Sequence, residues 1–173
     1  CGVPESPDGP CPNPTAKVQQ MGYGVLLTSG TIHTTVENLT ILRNAMAGVE
    51  LFDADDGRNG NLVQNNVIND NELGVTLVAG TSAATVKNNT MQGNLGEAVL
   101  IENSDGNLLE GNTVLGVPTN PNLDSDGGIL IRSAAENIIR GGEIRDTGDA
   151  GVVIDIAANH NTVENVVMYR NGD

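Results

Sequence analysis

The chain has 173 residues, enough for one domain, and a formal net charge of −14 with only eight basic residues. That balance argues against nucleic acid or an anionic membrane as partner, and no apolar run is long enough to cross a bilayer as a helix. With no Trp, one Phe and two Tyr, there is little to stack against sugar rings, which weakens the case for a glycan-processing groove.

Residues 1–23 hold five of the seven prolines and show no hydrophobic periodicity. They are expected to form an extended N-terminal arm or cap. Cys1 and Cys11 are the only cysteines, and their closeness in this segment suggests a disulfide and so an oxidising compartment. The alternative is a mature lipoprotein whose Cys1 carries lipid, because an acylated thiol cannot also be oxidised. Both readings put the chain outside the cytoplasm: secreted, on the cell surface, or periplasmic.

From Gly24 onward the sequence repeats. Units begin at Gly24, Gly48, Gly74, Ala98, Gly128 and Gly151, at spacings of 24, 26, 24, 30 and 23 residues. Such a period is the mark of a solenoid. Aligned units stack like on like, with one row reading Val25, Val49, Val75, Val99, Ile129, Val152 and a second Leu27, Leu51, Leu77, Ile101, Ile131, Ile154. Period 2 in short β-branched segments means strands with one buried face. Two further rows complete the interior, one from Val36 to Val163 and one from Ile41 to Met168. Six coils of three short strands are therefore expected over 24–173, about 29 Å long at roughly 4.8 Å per coil.

Turn residues line up between these rows. Asn38, Asn65, Asn88, Gly111, Gly141 and Asn165 form one column, of residue types that accept the left-handed backbone of a sharp corner. The asparagines among them are expected to form a stacked amide ladder. A second corner carries Asn44, Asn71, Asn94 and Asn171. The combined pattern, N-x-V-x-N-x-x-V/I-x-x-N with G-V-x-L, resembles the right-handed parallel β-helix repeat family, the short-repeat branch of the pectin-lyase-like superfamily. The resemblance covers Gly24 to Asp173 and implies an all-β solenoid. Its functional range is wide, spanning polysaccharide lyases, epimerases, a periplasmic protein of copper-enzyme maturation, phage spikes and adhesins.

On the first wall the outward positions read Leu26, Glu50, Thr76, Leu100, Leu130, Val153, followed by Thr28, Phe52, Val78, Glu102, Arg132, Asp155. An apolar stripe of Leu26, Leu100, Leu130 and Val153, with Phe52 beside it, is expected to be a contact surface unless a segment of the same chain covers it. Glu102, Arg132 and Asp155 fall on adjacent coils. They read first as a ladder of alternating sign, and otherwise as the catalytic group of a lyase.

Two insertions flank that wall. Each is rich in oxygen ligands, Asp53, Asp55 and Asp56 in the first, Asn122, Asp124 and Asp126 in the second. Either could hold Ca²⁺, although neither has the closing Glu of the complete helix-loop-helix calcium motif. No cofactor is required by any motif. His33 and His160 sit in the same turn with four coils between them, so they read as surface turn residues, and no soft-metal cluster is apparent.

No amphipathic helix or polar cap follows the sixth unit. The leading expectation is a structural or interaction solenoid rather than an enzyme. It would self-associate through open ends and the outer stripe, head-to-tail into filaments or laterally. The alternative is a Ca²⁺-assisted polysaccharide lyase or epimerase acting on acidic glycans.

Overall fold

In a computed structural model, residues 22–54, 60–117 and 127–172 are described. The N-terminal arm through residue 21, with Cys1 and Cys11, lies outside them. So do Asp55, Asp56, Asn122, Asp124 and Asp126.

Among the described residues, eighteen strands build three six-stranded sheets, and within each sheet every strand pairs in parallel with the strand three elements along. This is a parallel β-helix of six coils. Coil 3 shows the unit: Leu73–Val78 on the first wall, Thr85–Lys87 on the second and Thr90–Gln92 on the third. The expected register is the observed one, with Val49, Val75 and Val99 adjacent, and Leu51, Leu77 and Ile101 beside them. All four inward rows fill the core, and in coils 2 to 5 they are sealed from water. In coil 6 the same rows emerge, with Ile154 47%, Val163 36% and Met168 46% exposed.

The glycine that opens the repeat has a steric cause. A Cβ on Gly74 would lie 2.2 Å from the carbonyl oxygen of Ala98 in the next coil, so a side chain there would push two coils apart.

Most corners in the middle of the array are built from a two-residue device, in which the first residue takes the left-handed backbone and the second turns its side chain inward. At the second corner the left-handed residues are Asn38, Asn65, Asn88, Gly111, Gly141 and Asn165, as the column suggests. Their asparagine side chains, however, are not the amide ladder. That role belongs to the next residue, whose side chain is buried while the corner asparagines stay exposed. Asn66, Asn89 and Asn112 are buried, and the amide nitrogens of the first two donate to the Oδ1 of their successors, Asn66 to Asn89 at 3.0 Å and Asn89 to Asn112 at 3.1 Å.

The other two corners repeat the device. At the third, Asn44 donates to Asn71 and Asn71 to Asn94. At the first, Asn107 donates to Asn137 and Asn137 to Asn161. The same Oδ1 atoms also accept backbone N–H groups from the coil before, such as Asn66 N–H on Asn89. Each buried amide is thereby used on both sides.

Candidate interaction surfaces

The outer face of the first wall differs from the open stripe expected of it. Leu26 and Phe52 are exposed, but Leu100 and Val153 are half-buried, and Leu130 and Thr76 are each only 1% exposed. The stripe is closed at its centre, so it is not a continuous contact surface. Near coil 1 this face is polar. Thr76 Oγ1 donates to Glu50 Oε2 at 3.0 Å, while burial, followed by the Glu50 carboxylate, pushes the Tyr23 phenol above its ordinary range.

Glu102, Arg132 and Asp155 are brought together in register on coils 4 to 6. Arg132 Nε faces Asp155 Oδ2 at 3.4 Å. The three side chains stack on adjacent coils as a ladder of alternating sign. The second wall carries a similar one, where Arg140 lies between Glu164 at 2.7 Å and Glu110 at 3.9 Å, and Gln64 donates to Glu37.

The third wall is different in kind. Together with the second corner it comprises residues 38–42, 65–69, 88–92, 111–115, 141–145 and 165–169. Those thirty residues include one acid, Glu143, and one base, Arg145, and the two are paired with each other at 2.7 Å. The strip runs the full length of the helix with a formal charge of zero, on a chain of −14. Apart from that pair its outward side chains are Thr, Asn, Gln, Tyr and apolar residues, and Leu39, Leu42, Val67, Val167 and Tyr169 are exposed. Depletion of charge with exposed apolar and aromatic side chains is the composition of an interface centre. The sequence held this signal, but it becomes visible only when the repeats are aligned on the third wall rather than the first.

An ion network closes the strip at coils 5 and 6. Arg145 Nη1 donates to Asp146 Oδ2, Arg170 Nε donates to Asp146 Oδ1, and the Tyr169 hydroxyl donates to Glu143 Oε1. The Arg170 guanidinium also lies 5.1 Å over the Tyr169 ring. The Tyr169 hydroxyl, then Arg145, holds Glu143 below the usual carboxylate range, and Arg170, then Arg145, does the same for Asp146. Because both folded values are depressed, the network's contribution is present above the carboxylates' unfolded values and is lost as pH falls through the folded ones. Acid titration followed by NMR should show both carboxyls protonating below the ordinary carboxylate range, with Tyr169 resonances moving in step.

The sequence profile of the family described as "Periplasmic copper-binding protein (NosD)" matches residues 13–171, nearly the whole chain. The chain belongs to the NosD family. Among curated proteins no sequence matches it significantly. In structure, the NosD-family chain is similar to the periplasmic alginate epimerase AlgG. The TM-score is 0.67 at 19% identity for a double mutant and a single mutant, and 0.64 at 18% identity for a third crystal structure. These alignments cover 85% of this chain and 36% of AlgG. At that identity the likeness is one of fold, and the chain spans about a third of the epimerase.

The family's description raises the question of copper. Among the described residues no three His, Cys, Asp or Glu side chains are grouped to share an ion. His33 and His160 occupy left-handed corner positions in the first and last coils, and Met91 is sealed in the core. Copper favours imidazole and sulfur ligands gathered at one point, and the described residues of this NosD-family chain do not fit it. Asp53, the one described member of the possible Ca²⁺ sets, is an exposed corner residue whose N–H donates to Val78.

Proposed function

We propose that this NosD-family chain is an extracytoplasmic, periplasmic or extracellular, β-helix that works by docking rather than by catalysis. The docking surface is the uncharged strip of the third wall and second corner. The charge distribution supports this reading: a chain with 22 acidic residues keeps one face of the solenoid free of net charge from end to end. Desolvating that face costs less than desolvating any face lined with carboxylates.

A photoactivatable cross-linker placed at Leu42 on the strip, or at Lys87 on the second wall, tests the reading. Irradiation of the secreted or periplasmic protein in its host should give a discrete species of defined mass from Leu42 and none from Lys87. Equal products from both positions, or none from Leu42, would falsify the assignment of the strip. A second reading, end-to-end stacking into filaments, draws on the exposure of Ile154, Val163 and Met168 in coil 6 and predicts open-ended growth with concentration.

A further inference from the structure

We infer that the partner docked on the strip is a second copy of this chain, bound face to face about a two-fold axis. The inference rests on the docking role proposed for the strip and adds the identity of the occupant. Its basis is self-complementarity. A two-fold axis lying in the plane of the contact, parallel to the third-wall strands and level with the gap between coils 3 and 4, sets coil 1 of one copy against coil 6 of the other, coil 2 against coil 5, and coil 3 against coil 4.

The rows that meet in this way match in chemistry. Leu42 of coil 1 meets Val167 and Tyr169 of coil 6, all three exposed, with Val167 58% so. Thr90 and Gln92 of coil 3 meet Thr113 and Leu115 of coil 4, whose hydroxyl and amide groups can bond across the axis. Val67 and Asn69 of coil 2 meet the Glu143–Arg145 pair, which is already neutralised within its own copy. No unpaired charge is brought to the centre.

Electrostatics favour this face over the others. Two copies each carrying −14 repel, and the repulsion is smallest where the contact surfaces themselves sum to zero. An isologous contact also closes on itself, giving a dimer and not a fibre. Sheets packed face to face lie about 10 Å apart with strands roughly 30° from parallel or antiparallel, a geometry that a flat wall of three-residue strands permits. The strip measures about 29 Å by 16 Å, below the area of a standard interface, so dissociation on the order of 100 µM is expected.

Sedimentation velocity across concentrations from about tenfold below to tenfold above that value reads the state directly. The wild-type chain should pass from monomer to dimer and stop. Leu42→Lys and Val167→Glu, both at exposed positions, should each weaken the dimer by about tenfold or more. Combined in one chain, the two substitutions should restore it to within about threefold, because the two-fold axis places each new charge opposite its counter-charge. Thermal melts matching wild type confirm that the variants fold.

A wild-type chain that stays monomeric throughout overturns the second copy as partner. If Leu42 then cross-links to a species other than twice the chain's mass, the strip keeps its docking role with a different occupant. If Leu42 gives no product, the strip reading fails as well. Failure of the double variant to recover overturns the two-fold arrangement, and growth past the dimer overturns closure in favour of end-to-end stacking.

Discussion

Replacing Asn89 with Ala should cost about 3 kcal/mol, enough to lower the melting temperature by roughly 6–12 °C for a domain of this size. Asn89 is 1% exposed and its side chain serves four groups. Its Oδ1 accepts the backbone N–H and the amide of Asn66, and its Nδ2 donates to Val63 O and Asn112 Oδ1. Ala supplies none of these bonds and is too small to exclude the need for them, so buried donors and acceptors are stranded in two adjacent coils. The neighbouring residue gives the control. Asn88 is exposed at φ +53, and Asn88→Gly should change stability by less than about 0.5 kcal/mol, since Gly takes that backbone freely. Equal losses at both positions, measured by thermal or urea denaturation, would sink the assignment of the ladder to the inward residue.

A second large loss is expected at the core. Leu77 is wholly buried between Leu51 and Ile101, and Leu77→Ala should cost about 3–4 kcal/mol through lost burial and the cavity left behind. The stacked geometry makes collapse difficult, because the rows above and below are held at the spacing of the sheet. Ile154→Ala in the same row of coil 6 removes the same number of carbons but starts from a half-exposed side chain, so about 1 kcal/mol is expected. Denaturation of the two variants side by side tests whether the row tightens toward the middle of the array, as nearest-neighbour stacking in a repeat protein requires.

Much of this architecture was legible before any coordinates. The inward rows were plain because burial on a strand imposes period 2 and the repeat imposes the column, so two independent constraints fell on the same valines, leucines and isoleucines. The amide ladder was placed one residue early. Both members of Asn65-Asn66 and of Asn88-Asn89 are asparagine, and composition alone does not say which one turns inward.

Corners at Arg43, Ala83 and Glu136 also adopt the left-handed backbone, although their residue types give little hint of it. There the stacking of neighbouring coils outweighs local preference, which is worth only about 1–2 kcal/mol per residue. The first-wall stripe failed for another reason. Leu100, Leu130 and Val153 alternate as outward residues should, but alternation reports which way a side chain points and not whether water reaches it.

The amide ladders also impose an order on how the chain can be made. Bonds at Asn66, Asn89, Asn107 and Asn137 show that the corner N–H groups of one coil are taken up by Oδ1 atoms of the coil that follows it. A coil therefore carries unmet donors until its successor has been delivered. Folding must then trail delivery of the chain by one turn, each new coil completing the one before it. A pause in delivery would leave the newest turn as the point where a chaperone or protease finds purchase.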